Sequence, residues 1–68
     1  NKAIHVWPEV VGKAVAENAK AESAEHGVLI VRTSTPTWRQ ELQFKKEEIL
    51  KKLNSRVGKN TIKDIQFL

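Results

Sequence analysis

The sequence predicts an α+β fold in which helices cover one face of a three-stranded mixed sheet. Two observations predict it. Apolar residues near the N-terminus and in the second half recur every three or four positions, the period of a helix with one buried face. A β-branched apolar run follows a His-Gly pair, which is typical of a buried strand after a tight turn. The 68 residues leave room for one small core, so we expect a single domain over residues 1–68.

The first element is a helix with an apolar stripe. The stripe consists of Ile4, Trp7, Val11, Ala14 and Val15. Pro8 either occupies the first turn of the main helix or kinks a longer helix. Gly12 lies inside the helix in this interpretation, at a cost of about 1 kcal/mol relative to alanine, and the close approach of another backbone would account for it. We expect Trp7 to be a core residue because it lies on the stripe.

Two strands joined by a tight turn follow the helix. Residues 19–25, AKAESAE, alternate weakly between small and charged side chains. Residues 28–34, VLIVRTS, begin with an apolar run and suit a strand that is buried on both sides or lies in the centre of a sheet. His26 and Gly27 between them tolerate the positive φ angles of a hairpin turn.

The next helix begins near a Thr-Pro-Thr stretch. Thr35 as N-cap with Pro36 as the first helical residue is one start. Thr37 as N-cap with Gln40 completing a capping box is the alternative. Either start places Trp38 in the first turn, where it is either a core residue on the stripe of Leu42 or a partly exposed anchor for a protein partner.

This helix is predicted to break near residues 44–46. One continuous helix would place Lys45 and Lys46 inside the apolar stripe and turn Phe44 away from it. A break removes both faults, lets Phe44 turn inward and starts a second helix at residues 46–56, with Gly58 at its C-terminal end.

The last run, residues 61–68, predicts a third strand through Ile62, Ile65 and Phe67, with room for a bulge. The second and third strands should be parallel if they are neighbours, because a helical crossover joins them. The order helix, strand, strand, helix, helix, strand is similar to the prokaryotic type II KH arrangement. The GxxG turn that clamps nucleotides in KH domains is replaced here by QFKKEE, residues 43–48.

The net charge of +4 comes entirely from the last third of the chain. Residues 1–44 carry five basic and five acidic side chains, whereas residues 45–68 carry seven basic and three acidic ones. The seven candidate phosphate-binding residues are Lys45, Lys46, Lys51, Lys52, Arg56, Lys59 and Lys63. They favour a polyanion such as DNA as a partner. The alternative is a solvated helix face on which glutamates pair with lysines four residues on.

Composition argues against an enzyme. His5 and His26 are the only imidazoles, there is no cysteine, and the three glycines stand alone rather than in a phosphate-binding loop. We therefore expect no catalytic residue, metal, cofactor or small-molecule substrate. No apolar run approaches the roughly 20 residues that span a bilayer, and the lack of cysteine fits a cytoplasmic location. The chain begins with Asn rather than Met, so we expect it to be part of a longer protein.

Five sequence blocks in register resemble the DciA family. They are WPEVVGKAVA (7–16), HGVLIV (26–31), STPTWRQEL (34–42), ILKKLN (49–54) and GKNTIKDIQF (58–67). Matching framework positions are Trp7, Gly12, Leu29, Val31, Leu42, Leu53, Gly58, Ile65 and Phe67.

The resemblance implies a function. Members of the DciA family are bacterial proteins that assist the replicative helicase DnaB in place of an ATP-dependent loader, bind DNA and have a KH-like domain without the GxxG loop. By this resemblance the chain would be a non-catalytic DNA-replication adaptor. It would bind DnaB through a surface that includes Trp38 and Arg39, and single- or double-stranded DNA through the seven basic residues. The alternatives are a general KH-like RNA-binding module and a pure protein-interaction domain.

Overall fold

The computed structural model describes residues 1–68, in seven elements. They are α1 (Lys2–Val11), α2 (Lys13–Ala16), β1 (Ala19–Glu25), β2 (Val28–Thr33), α3 (Pro36–Phe44), α4 (Lys46–Val57) and β3 (Asp64–Phe67). Apart from the division of the first helix into α1 and α2, this is the predicted order. The α+β prediction with KH-type order is therefore confirmed.

The sheet is mixed, with β2 in the centre. β1 pairs with β2 antiparallel and β3 pairs with β2 parallel. Leu29 and Val31 of β2 lie opposite Ile65 and Phe67 of β3, and all four are buried. Because side chains alternate along a strand, these residues share the face that the helices cover. The third strand is shorter than predicted and begins after Ile62.

The β1–β2 hairpin turns as the sequence predicts. His26 and Gly27 both have positive φ, 54° and 81°. The irregular register lies in β1, between Ala21 and Ser23, and not in the last strand. The extra residue there keeps Ala21 and Ala24 opposite the buried residues of β2, because a bulge resets the alternation of the strand.

A core of twelve apolar residues lies between the sheet and the helices. Its members are Ala3, Val6, Trp7, Ala19, Leu29, Val31, Leu42, Ile49, Leu53, Ile62, Ile65 and Phe67. Trp7 is only 1% exposed, and its indole N–H donates a buried hydrogen bond of 2.9 Å to the Ala19 carbonyl. Its ring lies 6.4 Å from that of Phe67, centroid to centroid. The prediction that Trp7 is a core residue is confirmed.

Gly12 ends α1 instead of lying inside a helix, so that part of the interpretation was wrong. Its φ is 90° and its N–H donates to the Pro8 carbonyl at 2.9 Å. An added Cβ would meet nothing within 4 Å, so close backbone approach is not the reason for glycine. The reason is the positive φ, which side chains disfavour. Pro8 lies inside α1, as in the alternative with a longer helix.

α3 begins at the first of the two predicted starts. Thr35 is the N-cap and its side-chain oxygen accepts a 3.1 Å hydrogen bond from the Trp38 backbone N–H. Pro36 is the first helical residue, where its missing N–H costs nothing. The predicted break between α3 and α4 is confirmed and consists of Lys45 alone.

Phe44 does not turn inward, and that prediction was wrong. Its side chain is 80% exposed. The break comes after Phe44, at Lys45, so it leaves Phe44 in the helical phase of α3. Leu42 occupies the inward side of α3, and a residue two positions later in a helix points about 200° away.

Asn54 fixes the segment between α4 and β3. Its side-chain amide donates to the Ile62 carbonyl at 2.9 Å, and its amide oxygen accepts from the Ile62 N–H at 2.8 Å. Gly58, with φ 123°, follows α4 as predicted and donates to the Asn54 carbonyl. This two-sided contact holds Ile62 in the core without a strand hydrogen bond.

Candidate nucleic-acid and partner interface

Three of the seven predicted phosphate-binding residues are engaged in ion pairs within the chain. Lys46 at the start of α4 lies 3.2 Å from the Asp64 carboxylate of β3. Arg56 near the end of α4 lies 2.6 Å from the Glu9 carboxylate of α1. Lys52 pairs with Glu48 one turn earlier, at 3.5 Å. A phosphate that bound any of these side chains would compete with a carboxylate.

The other four predicted residues form no ion pair: Lys45, Lys51, Lys59 and Lys63. Lys51 and Lys59 share one open depression of about 360 Å³ at the C-terminal end of α4. Its remaining lining residues are Leu50, Asn54, Ser55 and Asn60. No acidic residue lines this depression. The Asn54 amide is bonded to Ile62, and the Ser55 hydroxyl donates to the Lys52 carbonyl at 2.7 Å. We call it the Lys51–Lys59 patch.

The Lys51–Lys59 patch depends on the turn after α4. Gly58 and Asn60 both have positive φ, and the Thr61 N–H donates to the Gly58 carbonyl at 3.2 Å. The turn brings Lys59 back beside the last turns of α4. Sequence reasoning identified both lysines but gave no reason to separate them from the other five.

Lys63 and Lys45 lie elsewhere. The methylene groups of Lys63 lie over the hairpin turn, since a Cβ added to Gly27 would be 3.4 Å from Lys63 Cγ and Cδ. Lys45 lies on the rim of a groove of about 150 Å³ beside α1 and α2. Apolar residues line most of this groove: Val10, Val11, Val15, Leu42 and Ile49. Lys45 shares the rim with Glu48 and Lys52, so carboxylate and ammonium groups alternate there.

Basic residues outside the predicted set also occur near acids. Lys13 and Lys20 line a shallow depression that contains Glu9 and Glu17. Arg32 of β2 donates a 2.8 Å hydrogen bond to Glu22 of β1. That hydrogen bond and the charge of Glu22 raise the pKa of the Arg32 guanidinium above its ordinary value.

The predicted partner-binding residues lie in the first turn of α3. Trp38 is half-buried and stands outside the twelve-residue core, and Arg39 is exposed and forms no ion pair. Trp38 is therefore less enclosed than Trp7, although it precedes the buried Leu42 by one turn. Phe44 at the other end of α3 is the large exposed aromatic that sequence reasoning missed. The helical phase of Phe44 relative to Leu42 was the signal that could have found it.

No group of three or more His, Cys, Asp or Glu side chains is close enough to hold a metal ion. None of the helices combines the length and the apolar character that crossing a membrane requires. All buried side-chain polar atoms have hydrogen-bond partners.

The class of protein follows from the order of the elements, the mixed sheet and the absence of GxxG at the α3–α4 junction. It is a KH-like α+β domain with a cationic patch at the C-terminal end of α4. The sequence comparison is more specific. The family model described as Dna[CI] antecedent, DciA, matches residues 1–67, and the chain belongs to the DciA family.

The curated relatives are similar to this chain at modest sequence identity. The UPF0232 protein of Mycobacterium tuberculosis is 28% identical over 61 residues, which cover 90% of this chain and 33% of that protein. The UPF0232 proteins of Rhodococcus jostii and Mycobacterium ulcerans are 28% and 27% identical over the same number of residues. The chain thus spans about a third of the length of the curated relatives it matches.

Proposed function

We propose that this chain is a non-catalytic adaptor domain for DNA replication that binds the replicative helicase DnaB and DNA. The observation that carries the proposal is the match to the DciA family over residues 1–67. Binding energy distributed over two surfaces would bias the position of the helicase on DNA, with no chemical step. Both partners are cytoplasmic in bacteria, so the proposal includes a cytoplasmic location.

For DNA, the ion-pair pattern supports a division among the seven basic residues. The Lys51–Lys59 patch offers two unpaired ammonium groups and no carboxylate, so a phosphate can bind there without breaking an internal ion pair. We assign the primary phosphate contacts to this patch. Lys45 and Lys63 supply secondary contacts, and Lys46, Lys52 and Arg56 contribute mainly to the overall potential.

For the helicase, α3 supports a docking surface. Trp38 is half-buried, so part of the indole is available to a partner, and the neighbouring Arg39 is exposed. Tryptophan and arginine are the side chains that most often dominate protein interfaces. The basic test is a pull-down of the replicative helicase of the source bacterium by this protein, which should recover the helicase without added nucleotide.

The test of the DNA surface is the double variant Lys51→Gln/Lys59→Gln. Loss of two phosphate contacts should reduce the slope of log affinity against log salt by about 1.8 for duplex DNA and about 1.4 for single strands. Fluorescence anisotropy with labelled oligomers between ~50 and ~200 mM salt measures the slope. Direct comparison of single-stranded and duplex oligomers gives the preference.

The matched control is Lys13→Gln/Lys20→Gln, which removes the same charge from a depression that already contains two carboxylates. It should leave the slope nearly unchanged. Equal losses in the two double variants would mean that net charge alone attracts DNA, and the patch would be discarded. Tighter binding of an RNA oligomer of the same sequence would favour the RNA-binding alternative. Absence of any nucleic-acid binding at ~50 mM salt would favour a pure protein-interaction domain.

A further inference from the structure

Phe44 is exposed to an extent that the fold does not explain. Its side chain is 80% accessible, whereas the other exposed large apolar residue, Leu68, is 38% accessible. Phenylalanine is a weaker helix former than the glutamine and lysine on either side of it, so helix propensity does not account for it. It is absent from the core and from the residues that pack against the core. A polar side chain would serve the last position of α3 equally well.

The face of α3 that carries Phe44 has no basic residue, and the adjoining Lys45 lies on the rim of the groove beside α1 and α2. Thr37, Gln40 and Glu41 precede Phe44 by seven, four and three residues, so all four share one face of α3. All four are exposed, and Glu41 forms no ion pair. Glu47, in the first turn of α4, is also exposed and unpaired. We call Thr37, Gln40, Glu41 and Phe44 the outward face of α3.

This charge pattern decides between two kinds of partner for the phenyl ring. A nucleobase could stack on Phe44, but single strands bring phosphates, and stacking sites combine aromatic rings with a positive groove. The carboxylates of Glu41 and Glu47 would repel those phosphates. A protein surface with an apolar pocket rimmed by Lys or Arg matches both the ring and the carboxylate.

We infer that Phe44 is the main anchor of the helicase-docking surface and that it inserts into an apolar pocket of the helicase with a basic rim facing Glu41. The inference rests on the proposed function, and it places the main docking contact on the outward face of α3, about 120° around the helix from Trp38. Aromatic side chains that are exposed in the free protein and buried in the complex contribute most to the binding free energy of such interfaces. The whole free energy of burying the ring then favours binding. Trp38 supplies a smaller contact because the fold already buries part of it.

The experiment measures the affinity of this protein for the replicative helicase DnaB of the source bacterium by isothermal titration calorimetry. Phe44→Ala should weaken binding on the order of tenfold or more, with the melting temperature unchanged. Phe44→Leu should recover part of the affinity because it restores apolar area. Gln43→Ala, an exposed neighbour outside the outward face, is the matched control and should bind as the unaltered protein does. Glu41→Lys should also weaken binding, since it places like charges together.

The outcomes separate the inference from the proposed function. Failure of the unaltered protein to bind the helicase would overturn both. If the unaltered protein and Phe44→Ala bind the helicase with equal affinity, the inference alone is overturned. It is also overturned if only Trp38→Ala loses affinity for the helicase. A Phe44→Ala variant that keeps helicase affinity but loses affinity for single-stranded DNA would assign the ring to a nucleobase. A fall in its melting temperature would assign the ring to the fold.

Discussion

α3 and α4 are consecutive helices separated by one residue, yet they pack against the rest of the fold in different ways. α4 contributes Ile49 and Leu53 to the core and packs against α1 and β3. Two of its basic side chains reach those elements through ion pairs, and its Asn54 holds the following loop. α3 contributes one buried side chain, Leu42, and forms no ion pair.

The difference means that α4 secures the fold more than α3 does, and it leaves most side chains of α3 free for the docking proposed above. α4 contacts α1 and β3, so the backbone that carries its surface lysines is held against the core. α3 contacts β2, β3 and α4, with Leu42 as its one buried side chain, and most of its other side chains are exposed. Stability should therefore depend on α4 more than on α3, and the following predictions test that difference.

The largest effect is expected for Leu53→Ala in α4. Leu53 is 0% exposed, and removing three carbons from such a site costs about 2–5 kcal/mol of unfolding free energy. Phe44→Ala in α3 removes a larger side chain. It should nevertheless change the free energy of unfolding by less than about 0.5 kcal/mol, because that side chain lies in water. Urea denaturation followed by tryptophan fluorescence measures both. Losses of similar size would show that α3 secures the fold as much as α4 does.

A smaller effect is expected for Asn54→Ala. This change leaves the N–H and the carbonyl of Ile62 without their partner, at a cost of about 1–3 kcal/mol. The stability of Asn54→Asp should lie between that of the unaltered protein and that of Asn54→Ala, because a carboxylate accepts from the Ile62 N–H but cannot donate to its carbonyl. Urea denaturation gives the free energies, and hydrogen exchange at the Ile62 amide reports the loop directly. Gln40→Ala on α3 is the control, and a loss as large as that of Asn54→Ala would refute the contrast.

The smallest effect is expected for the N-cap of α3. Thr35→Ala removes the acceptor of the Trp38 N–H and should cost about 1 kcal/mol, whereas Thr35→Ser should retain most of the stability. The N-cap of α4, Lys45, makes no side-chain hydrogen bond to the helix, so Lys45→Ala should cost less than about 0.5 kcal/mol. Thermal unfolding followed by circular dichroism compares the variants. A larger cost at Lys45 than at Thr35 would contradict this assignment of the caps.

Much of the fold was predictable because local rules and long-range packing agree. The period of the apolar residues predicted the helices and the buried Trp7. The His26-Gly27 pair predicted the hairpin, and the phase conflict at Lys45 predicted the break between α3 and α4. The prediction failed where one residue satisfies two interpretations. Gly12 fits a helix interior by spacing, but its positive φ, which spacing does not reveal, ends α1.

The candidate site was predictable in composition but not in arrangement. The sequence identified seven basic residues as one group, because they follow one another along the chain. Ion pairing divides them, since the acids that neutralise Lys46 and Arg56 come from β3 and α1, far away in sequence. The contact of Asn54 with Ile62 was missed for a related reason, because an asparagine near a helix end has many local uses.

The sequence by itself determined the type and order of the elements, the central position of β2 and the excess of positive charge in the last third. These depend on spacing, turn residues and composition, which act over a few neighbouring positions. Only the tertiary structure decided which basic residues remain unpaired and which two of them share a depression. Ion pairs between α4 and β3 or α1 depend on where distant elements meet, and no local pattern in the chain contains that information.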